Sequence, residues 1–159
     1  MTDNNHELTI VRVFDAPKEL VFKAWTDPEL LTKWWGPEGV TTPVCKMDAR
    51  PGGEIDIVML AGEELGDLKG SEWPMKGTVK EVVPDEKLVY ESSAIMDSKP
   101  IMDTTSTVTF DDEDGKTKLT LHVQVTRVTP EAEGPLSGMQ MGWNQSIDKL
   151  GRFVEQLQA

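Results

Sequence analysis

The apolar residues between positions 40 and 128 recur at every second position, which is the period of a β-strand with one buried face. The pattern is clearest at residues 119–125, where Leu and Val alternate with polar residues. From about residue 136 to residue 157 the apolar residues step by three or four instead, as on one face of an α-helix. A sheet with one apolar face needs a cover, and this helix has the matching stripe. The order predicts an α+β fold with an antiparallel sheet and a long C-terminal helix.

Two short helices are predicted before this region, after a first strand at residues 8–14. Each has an Asp followed closely by a Pro: Asp15 stands two residues before one, and Asp27 directly before another. An Asp side chain accepts the free N–H groups of a first helical turn, and Pro fits a position that needs no donor. The second helix is expected to end at the Gly-Pro pair at residues 36–37.

The length and charge exclude several classes of protein. The 159 residues fit a single domain over residues 1–159, with a frayed stretch at 1–6. The net charge is −12, whereas nucleic acid and anionic lipid both require a basic surface. The N-terminal residues lack the regions of a signal peptide, and no apolar run is long enough to span a membrane. We therefore expect a cytoplasmic protein that binds no nucleic acid and no membrane.

The chain is poor in residues that nucleophilic catalysis and metal sites require. It has two His and one Cys. His6 lies in the frayed end, His122 on the polar side of a strand, and Cys45 is expected to be a small buried or half-buried thiol. One Cys also excludes an intramolecular disulfide and a Cys-rich zinc site. The acidic run at residues 111–115 lacks the spacing of a calcium loop and is interpreted as a hairpin turn. We expect no metal site and no cofactor.

Carboxylates on the strands are the remaining candidates for acid–base chemistry. Glu54, Asp56 and Glu91 fall within predicted strands, but with 28 acidic residues such neighbours arise by chance. No catalytic residue is assigned.

The final helix contains a stripe of small residues, Gly138, Gly142 and Ser146, spaced four apart. Each interior Gly costs a helix about 1 kcal/mol relative to Ala, so the stripe needs a compensating reason. Two remain open: close packing on a strand backbone, or room for a ligand between the helix and the sheet.

An ordered set of short motifs resembles the SRPBCC (START-like) superfamily. It is most similar to the AHSA1-like branch, named after the activator of the heat-shock-chaperone ATPase. The similarity covers about residues 8–157, and the motifs are Phe14-Asp15-Ala16-Pro17, Val21-Phe22-Lys23-Ala24-Trp25, Trp34-Trp35-Gly36-Pro37, Arg50-Pro51-Gly52-Gly53 and Gly142-Trp143. The resemblance implies a helix-grip (START/Bet v-like) fold, in which a curved antiparallel sheet wraps around the long C-terminal helix. Two short helices follow the first strand, and a cavity between sheet and helix commonly takes apolar ligands.

The leading functional hypothesis is therefore a binding module for a small, partly apolar or amphipathic molecule. Met fills irregular space and Trp adds flat apolar area, so these residues are expected at such a cavity. The expected lining residues are Trp35, Met59, Trp73, Met75, Tyr90, Phe110, Met139, Trp143 and Ile147. Trp143 is expected to form the wall or floor, and Tyr90 to offer a hydrogen bond.

Two alternatives stay open. One is a cyclase, dehydratase or hydrolase that uses a carboxylate or Tyr in the cavity, although no obvious acid–base set lies on the apolar faces. The other is a protein-interaction module of the co-chaperone kind. Stimulation of a chaperone is not expected, because the eukaryotic activator carries a further domain before this one. A homodimer is also compatible with the sequence.

The acidity is concentrated in the middle of the chain. Residues 54–114 hold 16 acidic and 5 basic residues, and the rest of the chain is close to neutral. The excess therefore falls on the middle strands and their loops. It is expected to make one side of the sheet soluble, or to dock a basic partner.

Overall fold

The computed structural model describes residues 6–36, 39–96, 98–130 and 133–158. Within these ranges, seven strands form one antiparallel sheet in the order β1-β7-β6-β5-β4-β3-β2. The strands are β1 (His6–Phe14), β2 (Val40–Met47), β3 (Glu54–Ala61), β4 (Glu72–Val83), β5 (Lys87–Met96), β6 (Lys99–Glu113) and β7 (Lys116–Val128). The helices are α1 (Lys18–Thr26), α2 (Pro28–Leu31) and α3 (Glu133–Gln158), with a 3-10 helix at Glu63–Leu68. Residues 1–5, part of the stretch expected to fray, lie outside the described ranges.

The sheet curls around α3, which is the predicted helix-grip fold. On β7 the odd-numbered residues 119–125 are buried and the even-numbered ones are half-buried or exposed, as the alternation predicts. Ile147, Leu150 and Val154 of α3 belong to the same buried cluster as the inner residues of the strands. The apolar stripe of the helix and the apolar face of the sheet therefore cover each other.

The two short helices differ in part from the prediction. Asp27 caps α2, and its carboxylate accepts the Glu29 N–H at 3.0 Å. Asp15 does not cap α1, whose N-cap residue is Pro17; the Asp15 N–H instead donates to Glu155 of α3 at 3.2 Å.

α2 is also shorter than expected, since it ends at Leu31. The chain continues in tight turns, with the Lys33 N–H bonded to the Leu30 carbonyl at 3.0 Å. Trp34 and Trp35 are both buried after these turns. The burial of two large neighbouring rings decides the end of this helix.

The turn between β6 and β7 is shorter than the acidic run suggests. Asp114 and Gly115 have φ angles of 56° and 83°, as in a two-residue hairpin turn. The preceding acidic residues belong to β6, where Asp111 pairs with Lys118 and Glu113 with Lys116. Opposite charges directly across a strand pair are favourable, so the strand continues into the acidic run.

α3 is fixed to the edge strand β1 by polar and close-packed contacts. The Arg12 guanidinium donates to Asn144 at 2.8 Å and pairs with Asp148 at 3.4 Å. A β-carbon at Gly151 would lie 2.9 Å from the ring of Phe14. Gly151 thus allows the helix to approach β1 closely, a role that the sequence suggested for the other glycines of this helix.

Among the described helices, none is long and apolar enough to cross a membrane.

Candidate functional site

The nine residues expected to line a cavity lie on β3–β6, on α3 and in the turn after α2. Those in the fully buried core are Trp35, Tyr90, Phe110 and Ile147. Those that are half-buried and pack against it are Met59, Met75, Met139 and Trp143. Trp73 is half-buried and pairs with Met59 across β3 and β4. Their role in binding stays a prediction.

Trp25, on α1, is the centre of the aromatic cluster of this core. Its ring stacks on Trp143 with centroids 6.1 Å apart, and it meets Trp34 edge-on at 4.8 Å. It also lies 6.4 Å from Phe110 and 6.4 Å from Trp35. Trp25 therefore connects α1, the turn after α2, the sheet and α3 through flat apolar surfaces.

A row of hydroxyl groups lies on the inner face of β5 and β6. Tyr90 pairs with Ser106, and Ser92 with Thr104, so the four side chains are neighbours on one face. The hydroxyl oxygens of Ser92 and Thr104 are hydrogen-bonded at 3.1 Å. Tyr90 and Ser106 are each 1% exposed, so this end of the row is closed to solvent.

Two polar atoms at this end of the row have no hydrogen bond of normal geometry. They are the hydroxyl oxygen of Tyr90 and the indole nitrogen of Trp25, both buried. The neighbouring Trp34 shows the usual arrangement, because its indole N–H donates to the Ala24 carbonyl at 3.0 Å. An unpaired buried polar group costs about 1–3 kcal/mol, so two of them in one aromatic cluster need a reason.

Burial raises the pKa of the Tyr90 hydroxyl well above its ordinary value of 10, and the side chains of Ser106 and Trp25 offset part of the rise. Both side chains are within hydrogen-bonding reach of the Tyr90 oxygen, although the Trp25 indole N–H and the Tyr90 hydroxyl do not meet with normal hydrogen-bond geometry. Tyr90 therefore keeps its proton at neutral pH and is a hydrogen-bond donor there. The Trp25 indole is a donor as well, and it cannot accept.

Gly142 leaves open space beside α3. No atom lies within 4 Å of the position that a β-carbon would occupy there. Gly142 comes three residues after Met139 and four before the buried Ser146. The Ser146 hydroxyl donates to the Gly142 carbonyl at 2.9 Å. Close packing on a strand backbone therefore does not apply at Gly142, and room for a ligand there stays a prediction. The surroundings of Gly138 lie outside the described part of the helix.

The candidate acid–base residues lie away from this interior. Glu54 and Glu91 are exposed, Asp56 is half-buried, and Glu91 pairs with Lys80 at 3.7 Å. His122 is on the solvent side of β7, where its ring nitrogen lies 2.8 Å from a carboxylate oxygen of Glu7.

Cys45 is half-buried, as predicted, and burial raises the pKa of its thiol to about 11. It is a poor nucleophile at neutral pH, because the thiolate is the reactive form.

The structure also has two open concavities. One, of about 670 Å³, is on strands β4–β7 and includes Glu91, Ser93 and Asp103, together with Ser92 and Thr104 of the hydroxyl row. The carboxylate of Asp103 is already engaged by Ser93 at 2.6 Å and by Arg127 at 2.9 Å. The other, of about 570 Å³, lies at the β2–β3 turn. Neither contains an unpaired buried polar group among the described atoms, so the interior is the better candidate site.

Sequence reasoning missed Trp25 and the hydroxyl row. The inner positions of β5 and β6 alternate correctly, and Ser92, Thr104 and Ser106 occupy them where apolar residues are usual. Small hydroxyl residues at inward positions of a strand were the available signal. The unpaired state of the Trp25 nitrogen depends on contacts between distant elements and leaves no mark in the sequence.

Comparison with known proteins places the chain in a family. The family model described as "Activator of Hsp90 ATPase homolog 1-like protein" matches residues 15–155. No curated protein matches the chain.

Solved structures agree with this family over nearly the whole chain. Protein CV1439 from Chromobacterium violaceum is 30% identical with a TM-score of 0.80, covering 94% of this chain and 96% of its own. Protein NE0264 from Nitrosomonas europaea is 26% identical with a TM-score of 0.78, covering 99% of both chains. The AHSA1 protein SPO3351 from Silicibacter pomeroyi, at 22% identity and a TM-score of 0.73, covers 96% of this chain and 97% of its own and shares the fold. With its helix-grip fold and a family match over residues 15–155, the chain belongs to the Activator of Hsp90 ATPase homolog 1-like (AHSA1-like) family.

Proposed function

We propose that this protein binds a small, partly apolar molecule between the inner face of the sheet and α3. The observation that carries the proposal is a pair of buried polar atoms, on Tyr90 and on Trp25 of the aromatic cluster, that lack a hydrogen bond of normal geometry. Natural cores avoid such groups, whereas ligand sites combine apolar walls with a few convergent polar groups. The open space at Gly142 is compatible with this location, because Gly142 shares a helix face with the buried Ser146 one turn later.

The experiment fills the space at Gly142. Gly142→Leu adds a side chain where a β-carbon meets nothing, so the fold is retained while the room for a ligand is lost. We expect the affinity for the apolar probe 2-ethylnaphthalene, measured by equilibrium dialysis, to fall about tenfold or more, which is 1.4 kcal/mol.

The matched control is Met141→Leu, a change at the neighbouring position, where the side chain is 65% exposed. It should bind the probe as the unmodified protein does. Undiminished binding by a folded Gly142→Leu variant would show that the probe sits elsewhere.

The enzymatic alternative has less support. Among the described residues, the buried polar side chains outside the aromatic cluster carry hydroxyl groups: Thr42, Ser92, Ser106, Thr117 and Ser146. Tyr90 is protonated and can donate a proton, but a base to receive one is lacking within this described interior. The interior therefore supports binding more than turnover.

The protein-interaction alternative concerns the exposed face. Ion pairs on the exposed face of the sheet, such as Lys87–Glu81 at 3.5 Å and Arg127–Asp103 at 2.9 Å, already neutralise part of its charge. A basic partner captured there would be released steeply by added salt, since exposed charges are screened. Capture that is insensitive to salt would argue against such a face.

A further inference from the structure

We propose that Tyr90 and Trp25 recognise the carbonyl oxygen of an uncharged ligand with a flat apolar body, such as an aromatic ketone, aldehyde or ester. This inference rests on the proposed function and adds the chemical class of the ligand. It follows from the kind of polar groups that the interior holds, from the charges that it lacks, and from the shape of its walls.

The indole nitrogen of Trp25 and the hydroxyl oxygen of Tyr90 lack a hydrogen bond of normal geometry, and both groups can donate. The Trp25 indole can only donate, and the buried, protonated Tyr90 hydroxyl has a hydrogen to give. A carbonyl oxygen has two lone pairs and can accept from both. A ligand that itself only donates would leave the Trp25 nitrogen unpaired, so the pair selects an acceptor.

The interior offers no partner for a charged ligand in its described part. Two cations at α3 are already engaged: Arg12 with Asn144 and Asp148, and Lys149 with the Gly36 carbonyl at 3.1 Å. A carboxylate buried beside Tyr90 would have to lose its hydration without gaining a counter-charge, which is strongly unfavourable. The ligand is therefore uncharged.

The walls favour a flat ligand that replaces an aromatic ring. Trp143 is half-buried and stacks on Trp25 at an interplanar angle of 16°. The ligand reaches the two donors by taking the place of this ring against Trp25. Hydrogen bonds from the two donors to the ligand then remove the free-energy cost of leaving these donors unsatisfied in the ligand-free protein.

The test uses three compounds with one skeleton: 2-acetylnaphthalene, 2-ethylnaphthalene and 2-naphthoate. Equilibrium dialysis gives the affinity of each for the full chain. We expect the ketone to bind about tenfold more tightly than the hydrocarbon, since each hydrogen bond gained contributes roughly a three- to tenfold factor. The anion should bind more weakly than both.

Tyr90→Phe removes one donor and leaves the ring in place. It should lower the ratio of ketone to hydrocarbon affinity about threefold or more, with little change for the hydrocarbon. The matched control is Thr117→Val, which removes a buried hydroxyl of β7 that donates to the Ala16 carbonyl at 2.6 Å. It should leave the ratio unchanged, and the use of a ratio cancels any general loss of stability.

The outcomes separate the two proposals. If ketone and hydrocarbon bind equally and both are lost in Gly142→Leu, the binding function stands and carbonyl recognition is wrong. That result would leave the polar pair as the site of a structural water only. Tightest binding of the naphthoate, or a ratio that Tyr90→Phe does not move, would also overturn carbonyl recognition. If neither neutral compound binds, both proposals fail.

Discussion

The hydroxyl group of Tyr90 lies in the buried core without a hydrogen bond of normal geometry. Because it is unpaired, its removal should not cost the folded protein a hydrogen bond. We expect Tyr90→Phe to leave the free energy of unfolding unchanged or to raise it by about 1–2 kcal/mol, the cost of an unsatisfied buried group. Denaturant unfolding of the ligand-free protein measures this difference.

Thr117→Val provides the contrast. The Thr117 hydroxyl donates to the Ala16 carbonyl at 2.6 Å in a fully buried position, so its loss should lower the free energy of unfolding by about 1–3 kcal/mol. If Tyr90→Phe destabilises the protein as much as Thr117→Val does, the Tyr90 hydroxyl has a partner in the folded state.

Asp103 gives the stability a dependence on pH. Burial opposes ionisation of its carboxyl, but hydrogen bonds from Ser93 and Arg127 and the charge of Arg127 outweigh it and lower the pKa below the ordinary 3.8. A lowered native pKa stabilises the fold above the unfolded pKa, and this contribution is lost as the pH falls through the native value.

Asp103→Asn should therefore be less stable than the unmodified protein at neutral pH, with a difference that shrinks as the pH falls below about 4. Urea unfolding at a series of pH values measures it. In Arg127→Gln the free energy of unfolding should depend less on pH, because this change removes one of the groups that lower the pKa of Asp103. A difference that stays constant down to the acid limit would contradict this assignment.

At the scale of elements, α3 uses two glycines for opposite purposes. Gly151 lets the helix approach the Phe14 ring, where a β-carbon would lie 2.9 Å away, and Gly142 faces open space. Gly142→Ala should therefore stabilise the protein by up to about 1 kcal/mol through helix propensity. Gly151→Ala should destabilise it, since the buried ring would have to shift.

Thermal unfolding of the two alanine variants tests this pair, with the same chemical change at two points of one helix. Equal shifts in Tm would mean that the two positions have equivalent surroundings. A loss of stability in Gly142→Ala would mean that the space beside it is already filled.

Sequence patterns predicted the strands and α3 well where burial of one apolar face alone determines the element. The strands follow from the period of two, and α3 from the steps of three and four, because burial of one face is strong and local in the sequence. The predicted ends of α2 and β6 were wrong where another interaction acted as well. α2 ends early because both Trp34 and Trp35 enter the core, and β6 extends because its carboxylates pair with the lysines of β7.

At the scale of the whole molecule, the curled sheet carries its apolar side chains on the inner face and its charged side chains on the outer face. The inner face and α3 share one apolar core, with hydroxyl groups as its described buried polar side chains. The charges of the middle strands lie on the other face, where ion pairs such as Lys80–Glu91 form. The acidity of residues 54–114 is therefore a property of the outer surface, and the described buried side chains carry no charge.

The sequence by itself determined the α+β order, the antiparallel sheet, the covering helix and the family, because these depend on residue patterns along the chain. It also identified Tyr90 and Trp143 as expected parts of a binding cavity. The tertiary structure decided that Trp25 stacks on Trp143 and that its nitrogen and the Tyr90 hydroxyl are buried without partners. Whether a polar atom is paired depends on atoms brought together from α1, β5, β6 and α3, and such distances arise only when the chain has folded.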